Sequence, residues 1–372
     1  MPIQIASVQK PPAPSNERVV AGQKTADPIP GNGIYRILVC RPNHRLGNML
    51  LVTPLIAELE RLYRGAEIDI VAEGDAAVDV FHTFSSIRNI YCLPRRGFKH
   101  PVAFLSKILK IRKTHYDLII DPCLGSGFSR ALTRLLRGQR KLGFDDGDRS
   151  RGMTHLVPAS QAPHHMAKRA VMLARWYAST PVDDAARFPA LDIRLTDSEQ
   201  REGALWIRDI VAASGQSSTG GVIGLFAEAT RNKRYGKDWW IDFVAALRVA
   251  SPQCAIVEII PVHGRSMLDS QWPGYYTTSI RRMASAMSGV DVMISGDCGV
   301  MHLAAASGTP TVGMFSVTDA KIYGPYGAHN GHLETKDMTP QYAATKALQI
   351  YRDSFSMPAA DLAERQRRAM LL

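Results

Sequence analysis

The sequence predicts an α/β protein made of two Rossmann-like halves that face a central cleft. Short apolar strands alternate with helical segments in both halves, from a strand at Arg36–Cys40 to a strand at Thr311–Phe315. A stretch rich in Pro, Ala and Asp between Ala178 and Asp192 separates the two halves. The chain has 372 residues, which is more than one hydrophobic core usually serves. We therefore expect two domains.

Four segments follow from the composition along the chain. Residues 1–33 are rich in Pro, Ala, Gly and polar residues and lack the basic start and apolar core of a signal peptide, so we expect a disordered leader. Residues 34–195 and 196–340 form the two Rossmann-like domains, and residues 341–372 form a C-terminal helical segment.

The first half begins with the strand at Arg36–Cys40. A polar loop connects this strand to a helix expected from about Asn48 to Tyr63, with Asn48 as its cap and Pro54 tolerated in its first turns. The loop follows a parallel strand, where open α/β sheets bind their ligands. The further elements expected are strands at Glu67–Ala72, Ile87–Leu93, Asp117–Asp121 and Lys141–Phe144, and helices at Val102–Arg112, from Ser126, and at His165–Tyr177.

The second half repeats this alternation of strands and helices. It follows a capping box at Thr196–Glu199, which starts a helix reaching about Ala213. The further elements expected are strands at Gly221–Phe226, Ala255–Ile260, Asp291–Ile294 and Thr311–Phe315, and helices at Asp238–Ala250, Ile280–Ser288 and Val300–Ala306.

A glycine-spaced turn at Gly296, Asp297 and Gly299 connects a buried strand to a short helix of small residues. The free N–H groups at the start of such a helix favour an anion, and a diphosphate would fit there. Asp297 would cap the helix or accept a bond from a sugar or ribose hydroxyl, and His302 lies on the first turn. The alternative is a tightly packed βαβ unit with a satisfied histidine.

A basic loop at Glu228–Gly236 also follows a strand. It carries Arg231, Lys233 and Arg234, which suit it to hold phosphates by charge and hydrogen bonds. The alternative is a basic surface loop without a ligand.

The net charge of +11 is concentrated in one part of the chain. Twelve Lys and Arg residues stand between Arg95 and Lys141, against Asp117 and Asp121. Such a field attracts a phosphorylated glycolipid, an anionic membrane face or nucleic acid. We rank nucleic acid last, because aromatic residues are few here and no nucleic-acid motif is present. A solvated basic face without a partner is the alternative.

The cysteines and carboxylates do not indicate a metal centre. The five cysteines are scattered without a CxxC pair, which fits a reducing cytoplasm and argues against a zinc site or a disulfide framework. Asp146-Gly-Asp148 is similar to a DxD metal motif but lies in a turn-like cluster. No apolar run approaches the ~18 residues that span a bilayer. We predict a soluble cytoplasmic protein with no metal and no cofactor.

Five segments together resemble glycosyltransferase family 9, the ADP-heptose:lipopolysaccharide heptosyltransferases. These segments are Leu46–Pro54, Tyr116–Asp121, Lys233–Gly236, Gly296–Ala306 and Tyr323–Tyr326. The resemblance covers roughly residues 36–347, and its most specific part is the Asp-x-Gly-x-x-His-Leu-Ala motif from Asp297. It implies a GT-B fold, inverting transfer without a metal, and a C-terminal helix that packs back on the first domain.

The resemblance also implies roles for individual residues. Lys233 would neutralise the donor diphosphate, Asp297 would meet the donor sugar or ribose, and the N–H groups near Gly299 with His302 would hold phosphate. The donor-binding residues expected are Thr230, Arg231, Lys233, Arg234, Asp297, Cys298, Gly299, Val300 and His302. The N-terminal domain would bind the acceptor, and the residues expected there are Arg45, Gly47, Arg95, Arg96, Lys99 and Ser126.

One residue departs from the family pattern. The family usually has aspartate where this chain has Asn48, and that aspartate is the proposed general base. An amide cannot take a proton at neutral pH. Either His44 or Asp121 supplies the base, or a dissociative transition state needs little base help, or transfer activity has been lost. Asn48 could still orient the acceptor or the donor.

The function expected is a membrane-peripheral glycosyltransferase at the inner face of the inner membrane. It would move a sugar, with ADP-heptose as the favoured donor, to an acidic lipopolysaccharide-type or other cell-envelope glycan acceptor. The alternatives are a GT-B enzyme that uses or epimerises another nucleotide sugar, and a non-catalytic homologue that binds a sugar nucleotide or glycan, as Asn48 would allow.

Overall fold

The structure is a computed structural model that describes residues 26–95, 97–179, 188–327 and 329–355. It contains two six-stranded sheets, and every neighbouring pair of strands in both sheets is parallel. Helices cover the sheets. The prediction of two Rossmann-like halves is confirmed.

The first sheet has the strand order β3-β2-β1-β4-β5-β6. Its strands are β1 (Arg36–Cys40), β2 (Glu67–Glu73), β3 (Ile87–Leu93), β4 (Tyr116–Asp121), β5 (Gly138–Asp145) and β6 (His155–Pro158). The helices of this half are α1 (Leu46–Leu50), α2 (Thr53–Leu62), α3 (Ala76–Phe81), α4 (Pro101–Arg112), α5 (Gly127–Leu135) and α6 (Met166–Trp176). The strand order reverses between β1 and β4.

The second sheet has the order β12-β11-β10-β7-β8-β9. Its strands are β7 (Val222–Phe226), β8 (Ala255–Ile260), β9 (Gly274–Tyr276), β10 (Val292–Gly296), β11 (Thr311–Phe315) and β12 (Gly331–Glu334). The helices are α7 (Asp197–Ser214), α8 (Lys237–Ala250), α9 (Ile280–Ser288), α10 (Gly299–Ala306), α11 (Ala320–Tyr323) and α12 (Pro340–Phe355). Here the order reverses between β7 and β10, which places the loops that follow these two strands side by side.

Both faces of the central strands are buried, as expected for a parallel sheet between helices. In β1, Ile37 and Val39 belong to the core that includes α2 and α6. Leu38 and Cys40 point to the opposite face, into the core that includes Ile108 of α4. This two-sided burial explains why the strands have continuous apolar runs instead of alternating patterns.

The helix predicted from Asn48 to Tyr63 is divided in two. The chain forms the single turn of α1, passes through Leu51 and Val52, and begins α2 at Thr53. Pro54 is responsible, because it has no N–H to bond the preceding turn, and Thr53 Oγ1 donates to Leu50 O at 2.8 Å instead. The N-cap of α1 is Arg45, so the prediction that Asn48 caps a helix is wrong.

The folded part of the chain begins before residue 34, the first residue after the predicted leader. Ile29 is buried, forms a β-bridge with Ala178, and donates its N–H to Tyr177 O at 2.6 Å. Burial of the apolar Ile29 side chain stabilises this segment, so residues 26–33 are part of the folded structure. The rest of the predicted leader, residues 1–25, lies outside the described residues.

The C-terminal helix α12 packs against α8 and β12 of the second half. Residues 356–372 lie outside the described residues, so a return to the first domain stays a prediction. Within the part of the chain that the structure describes, none of the helices has the length and apolarity needed to traverse a membrane.

The two halves meet around Arg281 of α9, whose side chain is 8% exposed. It binds the carboxylate of Glu199 in α7 with two hydrogen bonds. It also donates to the carbonyls of Ile193 and Arg194 in the interdomain linker, at 3.1 Å each, and to Asp79 O of the first half at 3.2 Å. One side chain thus joins both halves and the linker.

Candidate active site

The site lies where the reversal points of the two sheets face each other. The basic loop follows β7, and the glycine turn follows β10, the strand paired with β7. The first half contributes the loop after β1 and helix α1, which contacts α10. Each of these loops comes at the carboxyl end of a parallel strand, so the three segments line one cleft.

Lys233 and Asp297 connect the basic loop to the glycine turn. Lys233 Nζ lies 2.8 Å from Asp297 Oδ2, and Thr318 Oγ1 donates a hydrogen bond to the same oxygen. Lys233 is 27 % exposed, whereas the carboxylate is almost fully buried. The ammonium group is therefore held at the surface of the cleft, with part of its charge accessible to a ligand.

The other residues of the basic loop have different surroundings. Arg231 and Thr230 are exposed, and Arg231 has a left-handed φ of 58°. Arg234 is engaged within the loop, because its Nε lies 2.6 Å from Glu228 Oε1 and 2.8 Å from Ala229 O. Arg231 is thus placed to reach a ligand, while Arg234 fixes the shape of the loop.

Helix α10 begins without a side-chain cap. Its N-cap is Cys298, whose side chain makes no capping hydrogen bond. Asp297 is turned toward Lys233, so of its two predicted roles capping is not the one observed. The N–H groups at Gly299 and Val300 therefore start the helix with no capping side chain, which suits them to an anion.

His302 is buried within the first turns of α10, with 4 % of its surface exposed. Burial lowers the pKa of its imidazole to about 4, so the ring is neutral at neutral pH. Its Nδ1 atom has no hydrogen-bond partner among the described residues. A neutral ring with an unpaired nitrogen can donate to or accept from a ligand at the cleft.

The two domains come into direct contact at α1 and α10. A methyl group at Gly299 would lie 3.0 Å from the backbone nitrogen of Gly47. A methyl group at Gly47 would lie 3.0 Å from Cδ2 of His302. A larger residue at either position would force its neighbour to shift, so the two glycines favour this approach, which places the loop of Asn48 beside the start of α10.

The loop after β1 carries a histidine paired with a carboxylate. His44 Nδ1 lies 3.5 Å from Oε2 of Glu73, the last residue of β2, and the His44 side chain is 48 % exposed. Asn48 Nδ2 donates to Asn43 Oδ1 at 3.0 Å, and Arg45 N donates to the same oxygen at 2.9 Å. Asn43 thereby orients the side-chain amide of Asn48, whose own carbonyl oxygen can then accept a hydrogen bond.

Asp121 lies in a buried network below the cleft. Its carboxylate accepts from Ser129 Oγ at 2.7 Å and from Cys123 N at 3.0 Å, and it lies 3.5 Å from Arg130 Nη1. Burial raises the pKa of this carboxyl group. Because the side chain is completely buried, Asp121 supports the loop after β4 and does not face the cleft.

The motif at Asp146 and Asp148 is also part of this support. Arg130 Nη2 lies 3.3 Å from Asp146 Oδ2, and Gly125 N donates to the same oxygen at 3.1 Å. Among the described residues no group of three or more His, Cys, Asp or Glu side chains could hold a metal ion. Asp146 therefore acts as a partner of arginine in this structure.

The predicted acceptor residues are spread along the edge of the first domain. Arg95 lies beside Gly74 and lines a cavity of about 470 Å³ together with Asp75, Cys92 and Lys107. Lys99 and Arg45 are exposed, and Ser126 caps α5 by accepting from Ser129 N at 3.3 Å. Arg96 lies outside the described residues. The structure brings Arg45 and Gly47 to the cleft and leaves Arg95 at the outer strands β2 and β3.

Two residues at the site were not predicted from the sequence. Glu73 ends β2, and its position at the carboxyl end of a strand next to β1 is a signal that could have found it. Thr318 follows β11 and has no comparable sequence signal.

Two Rossmann-like domains whose reversal points face one cleft are the arrangement of the GT-B fold. Residues 276–351 match the family described as glycosyltransferase family 9 (heptosyltransferase). This match confirms, over that part of the chain, the resemblance recognised from the sequence motifs, and it supports a glycosyltransferase. None of the curated proteins compared with the chain matches it.

Several solved structures have the same fold. A glycosyl transferase family 9 protein from Veillonella parvula is 19% identical with a TM-score of 0.67, over 85% of this chain and 89% of that chain. The Escherichia coli heptosyltransferase WaaC, solved with ADP-2-deoxy-2-fluoro heptose, is 17% identical with a TM-score of 0.64, over 86% and 99%. The E. coli ADP-heptose lps heptosyltransferase II is 15% identical with a TM-score of 0.64, also over 86% and 99%. These similarities confirm the fold.

Proposed function

We propose that the protein transfers heptose from ADP-heptose, with inversion and without a metal, to an acidic lipopolysaccharide-type glycan acceptor. The observation that carries the proposal is the contact between Gly47 and Gly299, which sets the loop of His44 and Asn48 beside the uncapped helix α10 and Lys233. The fold is shared with WaaC, which was solved with an ADP-heptose analogue.

The donor diphosphate would lie between the basic loop and the start of α10. Lys233 and Arg231 offer cationic charge, and the N–H groups at Gly299 and Val300 offer hydrogen bonds. His302 would add a bond from its unpaired, neutral imidazole. As the bond between the anomeric carbon and the diphosphate oxygen breaks, its electron pair moves to the leaving diphosphate, where these donors stabilise the charge.

The acceptor hydroxyl would attack the anomeric carbon from the side of the first domain. We assign the general base to His44, whose Nδ1 faces Glu73 and whose Nε2 would take the hydroxyl proton. The carbonyl oxygen of Asn48 would accept from the same hydroxyl and orient it. Asp121 is the weaker candidate, because it is enclosed and bound to Arg130.

The basic surface of the first domain would bring the enzyme to its acceptor on the inner face of the inner membrane. Exposed cations such as Arg95, Lys99 and Lys107 would attract the acidic groups of a lipid-linked glycan. On this proposal the protein is cytoplasmic and membrane-peripheral.

A non-catalytic role is the second candidate, and Asn48 is the observation that favours it. A homologue that kept the donor cleft and lost the base would bind ADP-heptose without turnover.

Mass spectrometry of donor and acceptor distinguishes the two functions. Purified protein is given envelope glycolipid with ADP-heptose, or with UDP- and GDP-sugars as controls. We expect turnover of ADP-heptose by the wild type, and its loss in Lys233→Ala and His44→Gln. If the wild type binds the donor without turnover and Asn48→Asp gains turnover, the protein is a binding homologue. Failure to bind any nucleotide sugar contradicts both functions.

A further inference from the structure

Large apolar side chains are exposed together on one face of the first domain. Thirteen such side chains are exposed among the described residues, and six of them lie between residues 102 and 135. The six are Val102, Leu105, Leu109, Leu124, Phe128 and Leu135. Single exposed apolar residues are ordinary, but a cluster of this kind marks an interaction surface.

Helix α4 has two apolar stripes. Ile108 and Ile111 are buried against the sheet. Val102, Leu105 and Leu109 recur at i, i+3 and i+7 and are 81%, 56% and 54% exposed. Residues with this spacing lie on one face of a helix, so the second stripe points away from the sheet.

Helix α5 lies beside α4 and extends the same surface. The rings of Phe104 and Phe128 are 6.2 Å apart between centroids, and Arg112 Nη1 donates to Leu135 O at 2.6 Å. The start of α4 therefore neighbours the start of α5, and the two helices run side by side in the same direction. Phe128 and Leu135 are spaced by seven residues and are both exposed. We call the exposed face of these two helices the α4–α5 face.

The α4–α5 face is basic as well as apolar. Its exposed cations are Lys99, Lys110, Lys113, Arg134 and Arg137. The two acidic residues of this part of the chain do not offset them. Asp121 is buried, and Asp117 accepts hydrogen bonds from the N–H groups of Tyr35 and Arg36 at 2.9 Å each.

Apolar side chains surrounded by lysine and arginine suit one kind of partner. A protein partner or second copy of this chain would need acidic groups opposite these cations, and the chain has an excess of cations. An anionic phospholipid surface supplies both negative headgroups and an apolar layer. Neither element of this face is long or apolar enough to span a membrane, so contact would be interfacial.

We propose that the α4–α5 face docks on an anionic phospholipid bilayer, with Val102, Leu105, Leu109 and Phe128 entering the headgroup boundary. The inference rests on the proposed function only in that a lipid-linked acceptor would need the enzyme at a membrane. Both helices start at the carboxyl edge of the first sheet, the edge that also carries the acceptor loop after β1. Docking by this face holds that edge close to the lipid surface.

Co-sedimentation with vesicles tests the docking surface without donor or acceptor. The vesicles are phosphatidylcholine alone, or phosphatidylcholine with phosphatidylglycerol. We expect the full chain to bind only the anionic vesicles, and Leu105→Glu/Leu109→Glu to bind at least about tenfold more weakly. Val249→Glu is the matched control, since Val249 is 83% exposed on α8 of the other domain and should leave binding unchanged.

The charge contribution is measured with a second pair of substitutions. Lys110→Gln and Lys113→Gln should each weaken binding to anionic vesicles by about fivefold, because each cation near such a surface adds a similar increment. Circular dichroism of every variant confirms that a loss of binding is not a loss of folding.

Three outcomes overturn the docking proposal. One is the absence of wild-type binding to anionic vesicles, and another is equal binding by the Leu105→Glu/Leu109→Glu variant. The third is self-association of the wild type in solution that this variant abolishes, which would make the face an interface between copies. The proposed function fails separately, because ADP affinity and transfer to a delipidated acceptor do not depend on vesicles.

Discussion

Replacement of Arg281 by alanine tests the interdomain junction on which the cleft depends. The side chain of Arg281 is 8% exposed, and its guanidinium donates hydrogen bonds to Glu199, Asp79 O, Thr83 Oγ1 and the linker carbonyls. In Arg281→Ala the carboxylate of Glu199 loses its cation, and the carbonyl oxygens lose a donor. The substitution should therefore change the relative orientation of the two domains and lower the free energy of unfolding.

The expected loss follows from the burial of the two partners. Breaking a buried ion pair by removing one partner costs about 3–5 kcal/mol. Glu199 is 25% exposed, so water partly replaces the lost cation, and we place the loss near the lower end, at about 3 kcal/mol. Arg282→Ala is the matched control. Arg282 is exposed, and its guanidinium lies 4.8 Å from the ring centroid of Trp206, so its loss should lower the free energy of unfolding by about 0.5–1 kcal/mol.

Urea unfolding at two pH values measures both the magnitude and its origin. The hydrogen bonds from Arg281 lower the pKa of Glu199 from 4.5 to about 2. A lowered pKa stabilises the folded state fully above pH 4.5 and loses this effect as the pH falls toward 2. The difference in the free energy of unfolding between wild type and Arg281→Ala should therefore decrease by about 1 kcal/mol from pH 7 to pH 3, after allowance for solvent screening.

Two results would exclude this role of Arg281. Equal destabilisation by Arg281→Ala and Arg282→Ala would show that the buried contacts of Arg281 add nothing specific. A difference that stays constant between pH 7 and pH 3 would show that the ion pair with Glu199 does not contribute to the effect.

Three further predictions concern the cleft. Lys233→Ala should raise the dissociation constant of ADP about 10- to 100-fold in calorimetry, because a charge-assisted bond is lost, whereas Lys237→Ala, outside the cleft, should leave it unchanged. Gly299→Ala should lower the free energy of unfolding by about 1–3 kcal/mol through overpacking, whereas Gly127→Ala, with no atom within 4 Å, should raise it by about 0.5–1 kcal/mol. His302 should show a neutral imidazole by nitrogen NMR from pH 8 to pH 5.5, and a charged ring at pH 6 would contradict its burial.

The sequence allowed prediction of the features that local pattern determines. Strand and helix periodicity predicted the central strands of both parallel sheets, whereas the short edge strands β6, β9 and β12 were not predicted. The glycine turn and basic loop were each expected at the end of a strand, as observed. The capping box at Thr196 and Glu199 is present in full. These features depend on neighbouring residues, so one sequence is enough to predict them.

The features that the sequence could not predict depend on contacts between distant residues. Asp121 ends β4, and this position alone would place its carboxylate at the cleft. In the structure the carboxylate is buried beside Arg130 of helix α5. Glu73 reaches His44 only because β1 and β2 pair in register. Arg281 joins segments about 90 to 200 residues apart, a separation at which no periodicity acts.

The fate of the anomeric centre in a single turnover shows whether the protein transfers heptose with inversion. Excess protein is mixed with ADP-heptose and a delipidated acceptor, and proton NMR follows ADP, the acceptor and the configuration of the new glycosidic bond. We expect one ADP to be released for each glycosylated acceptor, with the configuration inverted relative to the donor. Retention of configuration, release of free heptose with ADP, or an unchanged donor would contradict it.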